Sequence, residues 1–248
     1  MVMKMSKTRL YIEKKISSNI MIYIKNKQHH FLKNVLRTKI NDQISIFDGL
    51  TGEWLSRVIS INRDKTVINV IKKIRSIENQ TDLWLIFAPI KTFRMNITIQ
   101  KATELGVSRF VPCVTQNTNQ PKINVRNLKM NIIEASEQSE RVSLPLLDEP
   151  INMEALCENF PKDRCLIFCD ESNEKLPIIY NAILDKVDQY QKWAIIIGPE
   201  GGFSKKENEK ILSIPSVLPV SLGKRILRSD TATTAAIFSL QSLLENKK

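Results

Sequence analysis

The sequence predicts an α/β protein in two parts, a small basic part rich in β-strands and a larger part built on a parallel sheet. The first observation is the charge: residues 1–75 hold 16 Lys and Arg against 5 Asp and Glu, whereas residues 76–248 hold 21 of each. The second is a change of hydrophobic rhythm near residue 80, from short β-rich runs to strands that alternate with helices. We therefore expect two domains, at 1–75 and 76–248.

The first part carries short β-rich runs that are separated by turn-forming residues. The runs lie at 20–24, 44–47, 54–59 and 66–71, with turns at 48–49 and 62–64. This pattern predicts a small β-barrel. One helix is expected over residues 28–37, where apolar residues at positions 31, 32, 35 and 36 form a stripe.

The positive charge of the first part indicates a polyanionic partner, because the whole net charge of +11 falls there. No stretch combines a basic face with a long apolar face, as a helix lying on a membrane surface would. Nucleic acid is therefore the partner that we expect, with Arg9, Lys33 and Arg37 as contacts. A solvated basic surface without a partner is the alternative.

The second part reads as a regular alternation of strands and helices, which predicts a mainly parallel sheet. Strands are expected at 83–88, 109–114, 165–169, 193–197 and 217–222, and helices at 96–105, 128–138, 178–187, 205–212 and 231–244.

Two of these strands run directly into unusual loops. The first loop is GPEGGFS at 198–204, where Ser204 and Glu207 form a capping box that opens the next helix. Adjacent glycines allow a backbone to approach a ligand closely, but the spacing matches neither the dinucleotide nor the triphosphate motif. The second loop, with the sequence SLGKRILRSDTA at 221–232, also follows a strand and precedes a helix. Two such loops predict one ligand site between them, with simple tight turns as the alternative.

Together the two loops resemble the last third of the SPOUT methyltransferases, and in particular the RsmE-type family of small-subunit rRNA uridine-N3 methyltransferases. The segments QKATELGV at 100–107 and EASEQSER at 134–141 resemble further motifs of that family, as does the segment at 30–37. The sequence departs from the family pattern at Ser229 and Asp230, where Thr and Glu are usual, and at residues 96–99.

The resemblance implies a PUA-like RNA-binding barrel in front of a SPOUT domain, whose C-terminal chain forms a trefoil knot that holds S-adenosylmethionine. It also implies a homodimer that methylates N3 of a uridine in 16S rRNA, within an assembled or nearly assembled small subunit. Residues expected at the cofactor are Gly198, Glu200, Gly201, Gly202, Leu222, Gly223, Ile226 and Leu227. Residues expected at the RNA are Arg9, Lys33, Arg37, Glu137 and Arg141.

The chemistry of methyl transfer depends on the proton at uridine N3. Uridine N3 carries a proton at neutral pH, so methylation requires that the proton is removed or that the anion is stabilised. Both histidines lie in the first part, which leaves Glu104, Glu137, Glu200, Asp230 or no side-chain base. We expect Arg228 to hold the developing uracil oxyanion, since a guanidinium stays charged and offers fixed donors. A structural ion pair of Arg228 with Asp230 or Glu200 is the alternative.

Other classes of protein are less consistent with the sequence. The four cysteines and two histidines lack the spacing of a zinc site, so we expect reduced thiols and no metal. No apolar run approaches the length of a membrane span and no signal peptide is apparent, which favours the cytoplasm. Two alternatives remain: an RNA-binding protein that has lost catalysis, and a Rossmann-type nucleotide enzyme.

Overall fold

A computed structural model describes residues 8–119, 122–170 and 175–245. Its contacts divide the chain into two compact units, one of Met1–Asn79 with Ser136–Leu144 and the other of Gln80–Ala135 with Pro145–Lys248. The first unit therefore extends slightly beyond the predicted boundary at residue 75. It also includes a segment that the sequence placed in the second domain.

The first unit is a curled five-stranded sheet. Its strands are β1 (Arg9–Tyr11), β2 (Met21–Lys25), β3 (Gln43–Phe47), β4 (Glu53–Ile61) and β5 (Lys65–Arg75). They are ordered β1-β3-β4-β5-β2, with β1 parallel to β3 and the other pairs antiparallel. Alternate side chains point inward, and the core includes Ile24, Ile46, Val58 and Ile68. The predicted β-rich first part is confirmed as a curled sheet with β1 and β2 at its edges.

The helix of the first part is irregular. The helix α1 spans Asn26–His30 and continues as a π-helical turn over Phe31–Val35. Because a π-helical turn holds more residues than an α-helical one, a stripe drawn for a regular α-helix does not stay on one face. Leu32 is fully buried, whereas Val35 is 59% exposed. The predicted apolar stripe is therefore wrong except at Leu32.

The second unit is built on a parallel sheet. Its strands are β6 (Asp82–Phe87), β7 (Arg109–Val114), β8 (Leu146–Leu147), β9 (Ile151–Asn152), β10 (Arg164–Cys169), β11 (Lys192–Ile197) and β12 (Val217–Val220). The order is β12-β10-β11-β6-β7-β8, β9 pairs with β7, and these pairings are parallel. The successive residues Leu85 and Ile86 are both fully buried, as expected when helices cover both faces of a parallel sheet. The α/β prediction is confirmed.

Helices lie on the two faces of this sheet. They are α2 (Thr92–Glu104), α3 (Val125–Gln138), α4 (Met153–Glu158), α5 (Ile179–Leu184), α6 (Lys205–Leu212) and α7 (Ser229–Glu245). The helix α7 packs on α2, α5 and β11. Met153 of α4 and Ile211 of α6 share a core with Ile196, whose side chain points to the face opposite that of Ile197. Because the strands are parallel, their carboxyl ends lie along one edge, where ligand loops are usual.

Candidate active site

The loop after β11 depends on its glycines. A Cβ at Gly198 would lie 2.9 Å from the Phe203 ring, and a Cβ at Gly201 would lie 3.3 Å from Asn117 Cβ. Gly202 has a φ of 65°, in the left-handed region that favours glycine. Close packing at Gly198 and Gly201 and the backbone angle at Gly202 therefore fix the shape of this loop.

A third strand end, which the sequence analysis missed, supports the same loop. The side-chain amide of Asn117, just after β7, donates to the carbonyl oxygens of Gly201 and Gly202 at 3.0 and 3.1 Å. The backbone amide of Gln116 donates to Glu207 Oε1 at 2.8 Å. The polar run TQNTNQ that follows β7 at 115–120 is the signal that could have revealed it.

Glu207 also forms the predicted capping box of α6. Its Oε2 accepts from the backbone amide of Ser204 at 2.8 Å and from Ser204 Oγ at 2.9 Å, while Ser204 Oγ accepts from the Glu207 amide. Glu207 is 9% exposed. One buried carboxylate thus fixes both the start of α6 and the loop after β7.

The loop after β12 has a different requirement for glycine. Gly223 has a φ of 113°, and an added Cβ would meet no other atom within 4 Å. The backbone angle rather than crowding therefore favours glycine there. The Gly223 amide donates to Ser221 Oγ at 3.1 Å. Leu222 and Leu227 are half-buried, whereas Ile226 is 86% exposed.

A small cavity lies at the carboxyl edge of β6 and β11. It is lined by Phe87, Met95, Thr98, Gly198, Ser229 and Thr233, among others. The loop glycine Gly198 and the first residue of α7, Ser229, thus face the same space. Ligands usually bind at this edge of a parallel sheet, and the cavity marks the place where the glycine loop meets the start of α7. The structure places Glu200 and Ile226 on the exposed surfaces of their loops.

Arg228 and Asp230 lie where the second loop enters α7. Arg228 is exposed and makes no ion pair within the described ranges. Asp230, in the first turn of α7, pairs instead with Arg94 of α2 at 3.4 Å. Arg94 is a neighbour that the sequence did not reveal, because it lies 136 residues away.

The other candidate bases have structural partners. Glu104 pairs with Lys101 at 2.8 Å on α2. Glu137 Oε1 accepts from the backbone amide of Tyr11 at 2.8 Å, within the first unit. Asp230 and the exposed Glu200 remain as the acidic candidates in the two loops.

The structure buries two of the predicted RNA contacts, Arg9 and Arg141, and places the half-buried Glu137 in a contact within the first unit. The Arg9 guanidinium is buried, pairs with Glu53 at 2.9 Å and donates to the carbonyl oxygens of Ser136, Glu137 and Arg141. Arg141 is itself 8% exposed, and burial lowers the pKa of its guanidinium to about 10. Arg9 and Arg141 are therefore buried and Glu137 is half-buried, and the contacts of Arg9 and Glu137 join the segment Ser136–Leu144 to the rest of the first unit.

The other two predicted contacts are accessible. The Lys33 ammonium donates to the carbonyl oxygen of Asn62 at 3.0 Å at the surface. Arg37 is exposed and has a φ of 52° at the end of the π-helical turn. Both side chains leave positive charge on the surface of the first unit.

In the described part of the chain, the thiols and acidic groups form no second site. The four cysteines are free, and burial raises the pKa of Cys113 and of Cys165 to about 12, so both thiols stay protonated near neutral pH. Within residues 8–119, 122–170 and 175–245 no cluster of three or more His, Cys, Asp or Glu could hold a metal ion. No helix in those ranges is long and apolar enough to cross a membrane.

Fold and site together define an α/β protein that has a candidate ligand site at the carboxyl edge of a parallel sheet and that also contains a β-rich unit. Comparison with known proteins identifies the family. The RNA methyltransferase domain matches residues 77–241, and the RNA methyltransferase PUA domain matches residues 24–71. The chain belongs to the family of the ribosomal RNA small subunit methyltransferase E.

Relatives of that name match over nearly the full length. The protein from Rickettsia conorii is 31% identical over 242 residues, covering 96% of this chain and 97% of the relative. The protein from Buchnera aphidicola subsp. Acyrthosiphon pisum is 30% identical, covering 97% and 95%.

Solved structures agree with this assignment. A methyltransferase from Legionella pneumophila, in complex with S-adenosylmethionine, has a TM-score of 0.84 at 26% identity and covers 96% of this chain and 98% of that one. The small subunit methyltransferase E of Neisseria gonorrhoeae, also bound to S-adenosylmethionine, has a TM-score of 0.78 at 25% identity, with coverage of 95% and 97%.

Proposed function

We propose that this protein methylates N3 of a uridine in 16S rRNA with S-adenosylmethionine as methyl donor. The observation that carries the proposal is the cavity at the carboxyl edge of β6 and β11, which Gly198 and Ser229 both line. The match to the RNA methyltransferase domain over residues 77–241 supports it.

The residues at this edge fit the proposed cofactor. The small cavity beside Gly198 has apolar walls, and the hydroxyl groups of Thr98, Ser229 and Thr233 offer a few polar contacts at the edge of the proposed cofactor site. The open side of Gly223 leaves backbone accessible where a Cβ would stand. Gly198, Glu200, Gly201, Gly202, Leu222, Gly223, Ile226 and Leu227 would hold it, and the bound cofactor would supply an electrophilic methyl group.

Arg228 and Asp230 would act on the uracil. A developing negative charge on uracil favours a nearby guanidinium with open donors, and Arg228 is exposed and unpaired within the described ranges. Asp230 pairs with Arg94 and lies two residues after Arg228, in the first turn of α7. In this assignment Arg228 stabilises the oxyanion, and Asp230 would take the N3 proton if a side chain does so.

The first unit would bind the RNA substrate. Its surface carries Lys33 and Arg37, and phosphate contacts by such residues supply most of the sequence-independent affinity for RNA. A substrate within an assembled or nearly assembled small subunit would place the reaction in the cytoplasm.

We also propose a knotted chain and a homodimer. The chain leaves β12 at one edge of the sheet through residues 221–228 and then forms α7, which packs back on β11 and α2. Such a return is consistent with a trefoil knot. The exposed side chains of Phe93 on α2, Ile226 in the loop and Phe238 on α7 provide apolar surface for a second copy.

Methylation of small subunits tests the proposal. Small subunits from cells that lack this methyltransferase are incubated with the protein and the labelled methyl donor, and the product nucleoside is mapped by mass spectrometry. We expect 3-methyluridine at one position, with more product from assembled subunits than from free 16S rRNA. Methylation at a ribose or at another base would contradict the N3 assignment.

Calorimetry separates the alternatives that the sequence left open. Binding of S-adenosylmethionine without turnover on any RNA would favour an RNA-binding protein that has lost catalysis. Binding of NAD or ATP in its place would favour a Rossmann-type nucleotide enzyme.

A further inference from the structure

The outward face of β2, β4 and β5 in the first unit forms a continuous surface. Arg57 on β4 is paired in register with Asn69 on β5, which is paired with Met21 on β2. Directly paired residues point to the same side of a sheet. Arg57 and Met21 are exposed, and the core residues Ile24 and Ile68 lie on the opposite face. This row therefore faces solvent.

An aromatic ring stands on this face next to a cation. Tyr23 lies two residues after Met21 on β2, so it shares the outward face, and it is 57% exposed. The Lys65 ammonium lies 5.5 Å from the centroid of the Tyr23 ring. Ile59 on β4 adds a further side chain that is 41% exposed. Large apolar side chains exposed together on one sheet are typical of binding surfaces.

The charge of this face has one sign. Lys25 is paired in register with Lys65, and Arg57 lies across the sheet from them. The only carboxylate on these three strands is Glu53, which is fully buried and pairs with Arg9. Within the described ranges neither Lys25 nor Arg57 makes an ion pair with an acidic residue. The face therefore complements a polyanion.

We infer that the outward face of β2, β4 and β5 binds single-stranded RNA, with Tyr23 stacking on a base and Lys25, Arg57 and Lys65 contacting phosphates. Proteins bind unpaired strands by combining aromatic rings with a basic groove, because every base has a π face that can stack. A duplex would offer its phosphates but no open base to Tyr23. This inference rests on the proposed RNA substrate and adds contacts on β2, β4 and β5 to those proposed for Lys33 and Arg37.

Fluorescence anisotropy with the full-length protein tests whether this face binds RNA. The probes are a labelled oligouridine of about 12 nucleotides and a labelled RNA duplex of the same length. We expect Tyr23→Ala to weaken oligouridine binding by about 5-fold or more, as expected for a lost base–aromatic stack. Duplex binding should not change, and Tyr23→Phe should retain the wild-type affinity. The matched control is Tyr180→Ala, at an exposed tyrosine of the second unit.

The salt dependence of RNA affinity tests whether Lys25 and Lys65 contact phosphates. Lys25→Ala and Lys65→Ala should each make the plot of log affinity against log salt shallower by about 0.7, the value for one phosphate contact on a single strand. Unchanged slopes in both variants would remove these lysines from the RNA contacts and overturn the inference.

The remaining outcomes are distinguishable from a failure of the proposed function. Equal oligouridine affinity for wild type and Tyr23→Ala, or equal losses on oligouridine and duplex, would overturn the stacking face even if small subunits are methylated. Loss of affinity confined to the single strand would support the face even if no 3-methyluridine forms, and in that case only the proposed reaction fails.

Discussion

The carboxylate of Glu207 accepts a hydrogen bond from the backbone amide of Gln116 at 2.8 Å. Glu207 opens α6 after the glycine loop of β11, whereas Gln116 follows β7, so the contact joins two strand ends that are separated by β6 in the sheet. Because Glu207 also accepts from Ser204, this side chain holds the end of the glycine loop, whose own glycines fix the rest of its shape.

Replacing Glu207 should therefore weaken cofactor binding. In Glu207→Ala the Gln116 amide and the Ser204 amide both lose their acceptor, and we expect an affinity for S-adenosylmethionine at least about 10-fold lower, equivalent to about 1.4 kcal/mol. Calorimetry measures the affinity. The control is Glu209→Ala, which removes the same charge from the exposed side of α6. Equal affinities in the two variants would contradict a role of Glu207 in shaping the site.

Substitutions of Gly201 and Gly223 should abolish cofactor binding for different reasons. Gly201→Val places side-chain atoms against Asn117, whose Cβ is already 3.3 Å from an ideal Cβ, whereas Gly223→Val strains a backbone with a φ of 113°. We expect both variants to lose measurable binding of S-adenosylmethionine by calorimetry and to keep a cooperative thermal transition. Lys224→Ala, next to Gly223 and exposed, should bind normally. Normal binding by both glycine variants would remove the cofactor from these loops.

Strands and helices of the second unit were predictable because their apolar runs are long and bounded by glycine or polar residues. The strand at 109–114 and the helix at 205–212 match β7 and α6 residue for residue. The strands β1, β8 and β9 have only two or three residues each, which is too short for an alternating pattern to stand out.

The site was only partly predictable for a related reason. Both glycine loops follow apolar strands, β11 and β12, so their sequences could be located. The contacts of Asn117 with Gly201, and of Arg94 with Asp230, span 84 and 136 residues, and no local pattern specifies such pairs. Arg9 was misassigned because net charge does not distinguish an exposed cation from one buried against Glu53.

Asp48 should make the stability of the first unit depend on pH. Burial alone would raise the pKa of this carboxyl group, but hydrogen bonds from Thr51, Ile16 and Leu50 outweigh burial and lower it. A carboxyl group with a lowered native pKa stabilises the fold above its unfolded pKa of about 4, and this stabilisation is lost as the pH falls through the native value.

Urea unfolding of Asp48→Asn tests this dependence. We expect the variant to be less stable by about 2 kcal/mol at pH 7 and the difference to shrink steadily below about pH 4. Asp64→Asn, in an exposed turn of the same unit, should show no such difference. A stability gap for Asp48→Asn that does not change with pH would contradict the hydrogen-bond explanation.

Arg9 should act on stability, and the pair Lys33 and Arg37 on RNA binding. Arg9→Ala removes the closest cation of the fully buried Glu53, which keeps Arg75 at 3.2 Å. Because part of the charge stays compensated, we expect a loss of about 1.5–3 kcal/mol, as for hydrogen bonds to charged groups. Lys33→Ala with Arg37→Ala should leave the urea midpoint unchanged and make the salt dependence of RNA affinity shallower by about 0.7 to 0.9 for each lost phosphate contact. A stable Arg9→Ala that binds RNA poorly would return Arg9 to the RNA surface.

Arg228 is the residue on which the proposed chemistry depends most. If its guanidinium stabilises the uracil anion only in the transition state, Arg228→Lys keeps the charge but loses the planar pair of donors. We expect the single-turnover rate to fall by about 10²-fold or more, as for the loss of one oxyanion donor, with cofactor affinity nearly unchanged.

Arg228→Ala and Asp230→Asn, measured side by side, then separate the two roles. Because Asp230 pairs with Arg94 at 3.4 Å, Arg94→Ala is included to separate loss of orientation from loss of the carboxylate. An inactive Asp230→Asn beside a nearly active Arg228→Ala would show that the arginine assignment is wrong and make Asp230 the candidate base.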